Sequence, residues 1–140
     1  MRKLAFIFLI LIAVVTGCKT GTEKKLPESF ANTGISEIVF REYQHDFGKV
    51  AEGEKISHVF TFENKGTSDL VIISATTSCG CTVPKYDTKP IAPGKSGNLE
   101  VVFDTSGRSG FQTKTISVKS NALIPVVLLK ITAFVETNNQ

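Results

Sequence analysis

The sequence predicts an all-β fold, an antiparallel β-sandwich of about seven to eight short strands. Beyond residue 36 the apolar residues recur with a period of two, clusters of Gly, Pro and Asn interrupt them at short intervals, and no amphipathic helical period appears.

Glu37 to Tyr43 is the first strand candidate. Ile56, His58, Phe60 and Phe62 share one face of the second, with Ser57, Thr61 and Glu63 opposite, and Asn64-Lys65-Gly66-Thr67 ends it as a turn. Leu70 to Ala75 is almost continuously apolar, the pattern of a strand buried on both sides or in the middle of a sheet. Cys81 to Tyr86 is short and interrupted by Pro84, which confines it to an edge. Ala92-Pro93-Gly94 is a tight turn, Pro93 supplying the fixed φ and Gly94 the positive one. Leu99, Val101 and Phe103 then alternate with Glu100, Val102 and Asp104. Ser106 to Gly110 breaks the chain, Phe111 to Lys119 pairs back, and Asn121-Ala122 turns into a last strand from Ile124 to Val135. Phe40, Phe47, Phe60, Phe62, Phe103, Phe111 and Phe134 are assigned mostly to the core.

The N-terminus has a different composition. Arg2 and Lys3 precede an apolar run from Leu4 to Val15, too short for a permanent membrane span, and the run ends at Val15-Thr16-Gly17-Cys18. This is the pattern of a secretory signal, and its last four residues resemble the lipobox of bacterial lipoproteins. That resemblance implies cleavage before Cys18 and a diacylglycerol thioether on its sulfur, a membrane anchor that further acylation makes durable. Residues 1–17 are read as a lipoprotein signal peptide, 18–36 as a lipidated cysteine followed by a flexible polar tether, and 37–140 as the β-sandwich domain. Without Arg2 and Lys3 the chain balances 14 basic against 13 acidic residues and carries no basic stripe, which excludes a nucleic-acid partner. Trp is absent and only two Tyr are present, which counts against a carbohydrate-binding or adhesin role.

With Cys18 assigned to lipid, Cys79 and Cys81 remain as a pair. In an extended strand both sulfurs lie on one face with their Cα atoms about 6.6–7 Å apart, at the upper edge of disulfide geometry, and Gly80 can supply the bend that a bridge requires. Three readings stand. The pair is structural, packed or bridged in the turn before an edge strand. It is a thiol-redox pair, although no helix follows to lower a thiol pKa. It is a soft-metal site for Cu(I), or for zinc if His45 and His58 complete a tetrahedron, although their spacing does not place them nearby. The structural reading is preferred, and no metal or other cofactor is expected. There is no Gly-x-Ser-x-Gly elbow, phosphate loop, dinucleotide fingerprint or zinc-protease helix, so no catalytic residue is assigned and the chain is not expected to be an enzyme.

Asp46-Phe47-Gly48 with Gly53-Glu54, Phe60-Thr61-Phe62-Glu63-Asn64-Lys65-Gly66, Ser78-Cys79-Gly80-Cys81-Thr82, Ile91-Ala92-Pro93-Gly94, and Phe103-Asp104 before Gly107-Arg108 occur in that order. The segment that carries them resembles the DUF1573 family of bacterial Ig-like exported lipoproteins. The resemblance implies an Ig-like sandwich, similar to modules of the ASPM, SPD-2 and hydin type, and membership typical of Bacteroidota. It transfers no catalytic residue. It casts Asn64 and Gly66, with Pro93 and Gly94, as structural turn residues, Asn64 bonding local backbone and Gly66 free to adopt a positive φ.

The expectation is a lipid-anchored, non-enzymatic cell-envelope protein that binds or spaces another envelope protein, through an exposed edge such as Cys81 to Tyr86. Lys19 follows Cys18 without the acidic cluster that resembles a surface-export signal, which favours the periplasmic face of the outer membrane. The alternative is a periplasmic thiol-redox or copper-binding module built on Cys79 and Cys81.

Overall fold

Alternation along each strand decides which side chains are buried, and two sheets share the inward set. The computed structural model describes residues 34–137; the expected signal segment, Cys18 and the expected tether as far as residue 33 lie outside them, whereas Ser36, also assigned to the tether, is buried and bonded to the Asn121 carbonyl, so the end of that segment belongs to the sandwich. Eight strands form: β1 Ile38–Phe40, β2 Gln44–Ala51, β3 Lys55–Asn64, β4 Ile72–Thr77, β5 Thr82–Tyr86, β6 Ser96–Asp104, β7 Gly110–Ser120 and β8 Val126–Glu136. Sheet A has the order β1-β3-β6-β5 and sheet B the order β2-β8-β7-β4. Phe60, Phe62, Leu99, Val101 and Phe103 point inward from sheet A, and Ile72, Ile116, Val118, Leu129, Ile131, Ala133 and Val135 from sheet B, all essentially inaccessible to water. Each large apolar side chain so buried contributes about 1.5–3 kcal/mol.

Several expectations need correction. Glu37 to Tyr43 is not one strand. The chain leaves sheet A after Phe40, crosses at Arg41–Tyr43 and enters sheet B as β2, which pairs with β8 in parallel, so the sandwich is mixed rather than wholly antiparallel. The inward phase changes with the crossing: Ile38 and Phe40 are buried before it, His45 and Phe47 partly buried after it. A bulge between Asp46 and Lys49, with Gly48 at φ 68°, restores the earlier parity so that Val50 meets the core. β4 is an edge strand and not a central one, standing last in sheet B, and the run is not buried on both sides: Ile72 faces the core and Ile73 faces solvent.

The turn residues form one connected unit. Asn64 is fully buried at the end of β3. Its Nδ2 donates to the carbonyls of Ser68 (2.7 Å) and Ile91 (2.8 Å), and its Oδ1 accepts from the N–H groups of Gly66 (3.0 Å) and Glu37 (3.4 Å). Its own carbonyl accepts the N–H of Gly94, which has φ 73° in a turn closed by Lys95 N–H to Ala92 C=O, with Pro93 at the position of fixed φ. One side chain therefore ties the end of β3, the start of β1 and the turn before β6. Gly66 is required for a different reason from the one expected: its φ is not positive, and a Cβ there would lie 2.6 Å from the Ser36 Cα and closer still to the Ile35 carbonyl oxygen.

Candidate functional site

Three places in the sandwich combine side chains in ways that core packing does not require.

The first is the crossing from β4 to β5. Cys79 and Cys81 are bridged, with Cα atoms 5.4 Å apart, so the loop contracts relative to an extended strand. Gly80 does this without a positive φ and with open space where a Cβ would stand. The Thr77 hydroxyl lies 2.8 Å from the carbonyl of Cys79 and 2.9 Å from that of Thr82 and shares its one hydrogen between them, clamping the loop. Because the sulfurs are bonded to each other, neither offers a thiolate for Cu(I) or zinc.

The second lies where the chain crosses from β1 to β2. His45 on β2 and His58 on β3 stack with ring centroids 3.6 Å apart and planes 7° from parallel. His58 Nε2 is 2.7 Å from a carboxylate oxygen of Glu42, which sits in the crossing itself. Phe47 meets the His45 ring edge-on at 4.7 Å, and Phe60 meets the His58 ring edge-on at 4.8 Å. Burial holds the His45 imidazole below the usual histidine range, as does the charge of His58, while Glu42 and Asp46 act in the opposite direction. Among the described residues, Glu42, His45 and His58 are the one group of three His, Cys, Asp or Glu side chains within metal-binding reach. The histidines thus come together with each other and Glu42, not with the cysteines.

The third is on the outer face of sheet B. Phe111 on β7 lies opposite Phe134 on β8, the rings edge-to-face at 5.6 Å, and they are 80% and 37% exposed, so both leave the core set to which they were assigned. With Asp46, Gly48 and Lys49 they line a hollow of about 340 Å³. Asp46 accepts the Thr132 hydroxyl (2.8 Å) and the Gly48 N–H (3.1 Å), and these two bonds hold its carboxyl below the usual range. Lys49 pairs with Glu136 at 2.7 Å, which raises its pKa. Sequence reasoning missed Glu42, and it missed this face, although parity carried a signal: Phe111 and Phe134 are out of phase with the inward residues of their own strands, Ile116 and Val118, and Leu129 and Ile131.

The open edge of β5 is blunted. Asp104 N–H donates to the Cys81 carbonyl, so in the β5–β6 register Val83 and Lys85 turn their backbone groups toward β6, and Thr82, Pro84 and Tyr86 turn theirs outward. The Thr82 carbonyl is taken by Thr77, and Pro84 has no N–H to offer.

The family model described as "Protein of unknown function (DUF1573)" matches residues 38–135. The chain belongs to the DUF1573 family. No curated protein matches it in sequence. Among solved structures, this DUF1573 chain is similar to a protein of unknown function from Porphyromonas gingivalis W83, at 24% identity and TM-score 0.60, over 72% of this chain and 46% of that one. It is also similar to the ASH / PapD-like domain of human CEP192, at 12% identity and TM-score 0.57, over 73% and 87% of the two chains. A third is the secreted serine protease VesC from Vibrio cholerae, at 16% identity and TM-score 0.55, over 70% and 23%. The DUF1573 chain thus spans less than half of the Porphyromonas protein and about a quarter of VesC. At these identities the likeness is one of fold: an Ig-like, PapD-like sandwich.

Proposed function

We propose that this DUF1573 protein is a non-enzymatic docking module of the cell envelope, held to the periplasmic side of the outer membrane by lipid on Cys18 and binding another envelope protein through the outer face of sheet B. The exposed Phe111–Phe134 pair carries this reading. Two cross-strand aromatic rings on a rigid sheet face lose little conformational entropy on binding and bury a large area, which is why aromatic residues dominate binding hot spots. The hollow beside them is bordered by the Asp46–Thr132 hydrogen bond and the Lys49–Glu136 ion pair, a polar rim around an apolar centre. Strand addition at β5 loses its support, since Pro84 removes a donor from the middle of that edge.

The experiment is purification of the lipidated protein from its own membranes, as wild type and as Phe111→Ser with Phe134→Thr. The expected result is a thioether-linked diacylglycerol on Cys18, the same midpoint of thermal unfolding for both proteins, and a reproducible envelope protein bound to the wild type alone. A bare N-terminus contradicts the anchor, and equal recovery of the bound protein by both forms contradicts the docking face.

A second reading, a periplasmic thiol-redox module, rests on the Cys79–Cys81 bridge. Thiol labelling before and after mild reductant tests it: a bridge that stays unlabelled in mild reductant, with no redox phenotype in Cys79→Ser plus Cys81→Ser cells, removes it. The copper form of this reading requires the reduced pair to bind Cu(I).

A further inference from the structure

The two histidines of the chain are 13 positions apart in sequence and stand on strands of different sheets, yet their rings are in face-to-face contact with a carboxylate against one of them. A hydrogen bond between Glu42 and His58 needs no second imidazole. Nor does burial require one, because both histidines are only partly covered and Glu42 is exposed. We propose that Glu42, His45 and His58 form a binding site for one divalent transition-metal ion of the zinc class.

The donor set supports this assignment. Two imidazole nitrogens and a carboxylate oxygen suit zinc and its neighbours, whereas Cu(I) prefers sulfur, and Ca²⁺ and Mg²⁺ prefer shells of oxygen alone. The donor atoms all lie within 4.8 Å of one another. A tetrahedral ion with bonds of about 2.0–2.1 Å requires donors roughly 3.3 Å apart, so the Glu42–His58 pair, now at 2.7 Å, opens slightly and the wider separations close by up to about 1.5 Å. Parallel rings do not aim their lone pairs at one point, and binding therefore fans the stacked imidazoles apart by side-chain rotation while Glu42 turns its free oxygen inward. Phe47 and Phe60 pack edge-on against the His45 and His58 rings. Three protein ligands leave a fourth position open on the solvent side, where Glu42 is exposed, for water or a group from a partner.

The position in the fold gives the ion a consequence. Glu42 lies in the crossing between the sheets, His45 is on β2 of sheet B, and His58 is on β3 of sheet A. Contact between β2 and β3 is otherwise made by side chains and not by a hydrogen-bonded ladder. An ion held by all three residues would clip the first strand of sheet B to the face of sheet A, binding the folded form and raising its stability by mass action.

The test uses the full chain in detergent micelles, free of any affinity tag and stripped with chelator. Zn²⁺ is titrated by calorimetry, and Co²⁺ is added separately to read its ligand-field spectrum. The expected results are one ion per chain, a higher midpoint of thermal unfolding with Zn²⁺, and a tetrahedral cobalt spectrum. Zn²⁺ affinity should fall at least tenfold in each of Glu42→Gln, His45→Gln and His58→Gln, and should be unchanged in Cys79→Ser plus Cys81→Ser. Glu42→Gln changes one exposed side chain and keeps the test valid if a histidine variant fails to fold. Binding well below one ion per chain overturns the proposal, as does affinity that survives Glu42→Gln and either histidine change, or affinity that disappears with the cysteines.

Discussion

The two sheets are alike on their inner faces and differ on their outer ones. Sheet A turns outward a set of short-range polar pairs: Lys85–Glu100 at 3.5 Å, Lys55–Asp104 at 3.6 Å, Lys65–Glu63 at 2.6 Å, and the Thr61 hydroxyl on Asn98 at 3.1 Å. Sheet B turns outward two phenylalanines in mutual contact, with Leu128 on the same face 60% exposed. Exposed ion pairs contribute little to stability, and exposed aromatic rings contribute less than buried ones, so neither face holds the fold together. The outer face of sheet A also carries Val59 and Val83, 46% and 51% exposed, and that of sheet B the Lys49–Glu136 pair, so the difference lies in the contacting aromatic rings that sheet B offers a second molecule.

The inner and outer faces differ most widely in unfolding experiments on aromatic residues. Phe60→Ala removes a fully buried ring and is expected to cost about 3–5 kcal/mol in denaturant unfolding. Phe111→Ser, on the outer face of sheet B, should cost less than about 0.5 kcal/mol; a cost comparable to that of Phe60 would mean that Phe111 belongs to the core. The same contrast holds for asparagines. Asn64→Ala leaves several backbone groups without partners, at about 1–3 kcal/mol for a group left buried. Asn98→Ala on the outer face of sheet A should change the unfolding midpoint hardly at all. Salt sharpens the contrast further. Raising the ionic strength screens the Lys–Glu and Lys–Asp pairs of sheet A and should shift stability by less than about 1 kcal/mol, while recovery of a partner on the aromatic face persists.

The smallest expected effects follow pH. The Asp46 carboxyl titrates below its unfolded value because the folded protein favours its charged form. Its contribution to stability is therefore complete above about pH 4 and is lost as pH falls through the lower folded value. Asp46→Asn should flatten that acid limb. His45 has the opposite preference: its folded pKa is depressed in favour of the neutral ring. With chelator present, stability should decline as pH drops below the usual histidine value of about 6.5, where the unfolded chain takes up the proton first. His45→Gln should remove this decline, as read by unfolding midpoints across the range.

What was legible in the sequence was local. Asn64 with Gly66, and Pro93 with Gly94, sit close together along the chain and have turn chemistry of their own, and the structure joins them through the Asn64 amide and its carbonyl. Alternation in Phe60–Phe62 and Leu99–Val101–Phe103 marks the inner face of sheet A because those strands keep one phase throughout. Phe111 and Phe134 lie outside although their residue type points inward; counting by twos back from Ile116 and forward from Leu129 passes over both. His45 and Glu42 were illegible for a different reason. Their position depends on the chain leaving sheet A after β1 and on β2 pairing in parallel with β8, with partners such as Asp46 and Thr132 separated by 86 positions. No local pattern encodes a crossing of that kind, and the bulge at Gly48 further disguises the strand by changing its phase.

The proposed meeting point of this protein and its partner is the outer face of sheet B. A photoreactive amino acid placed at position 111, and in a second strain at position 100 on sheet A, tests it in living cells. Irradiation is expected to give one reproducible envelope adduct from position 111 and none from position 100. The same adduct from both positions, or from position 100 alone, would contradict it, as would no reproducible adduct from either.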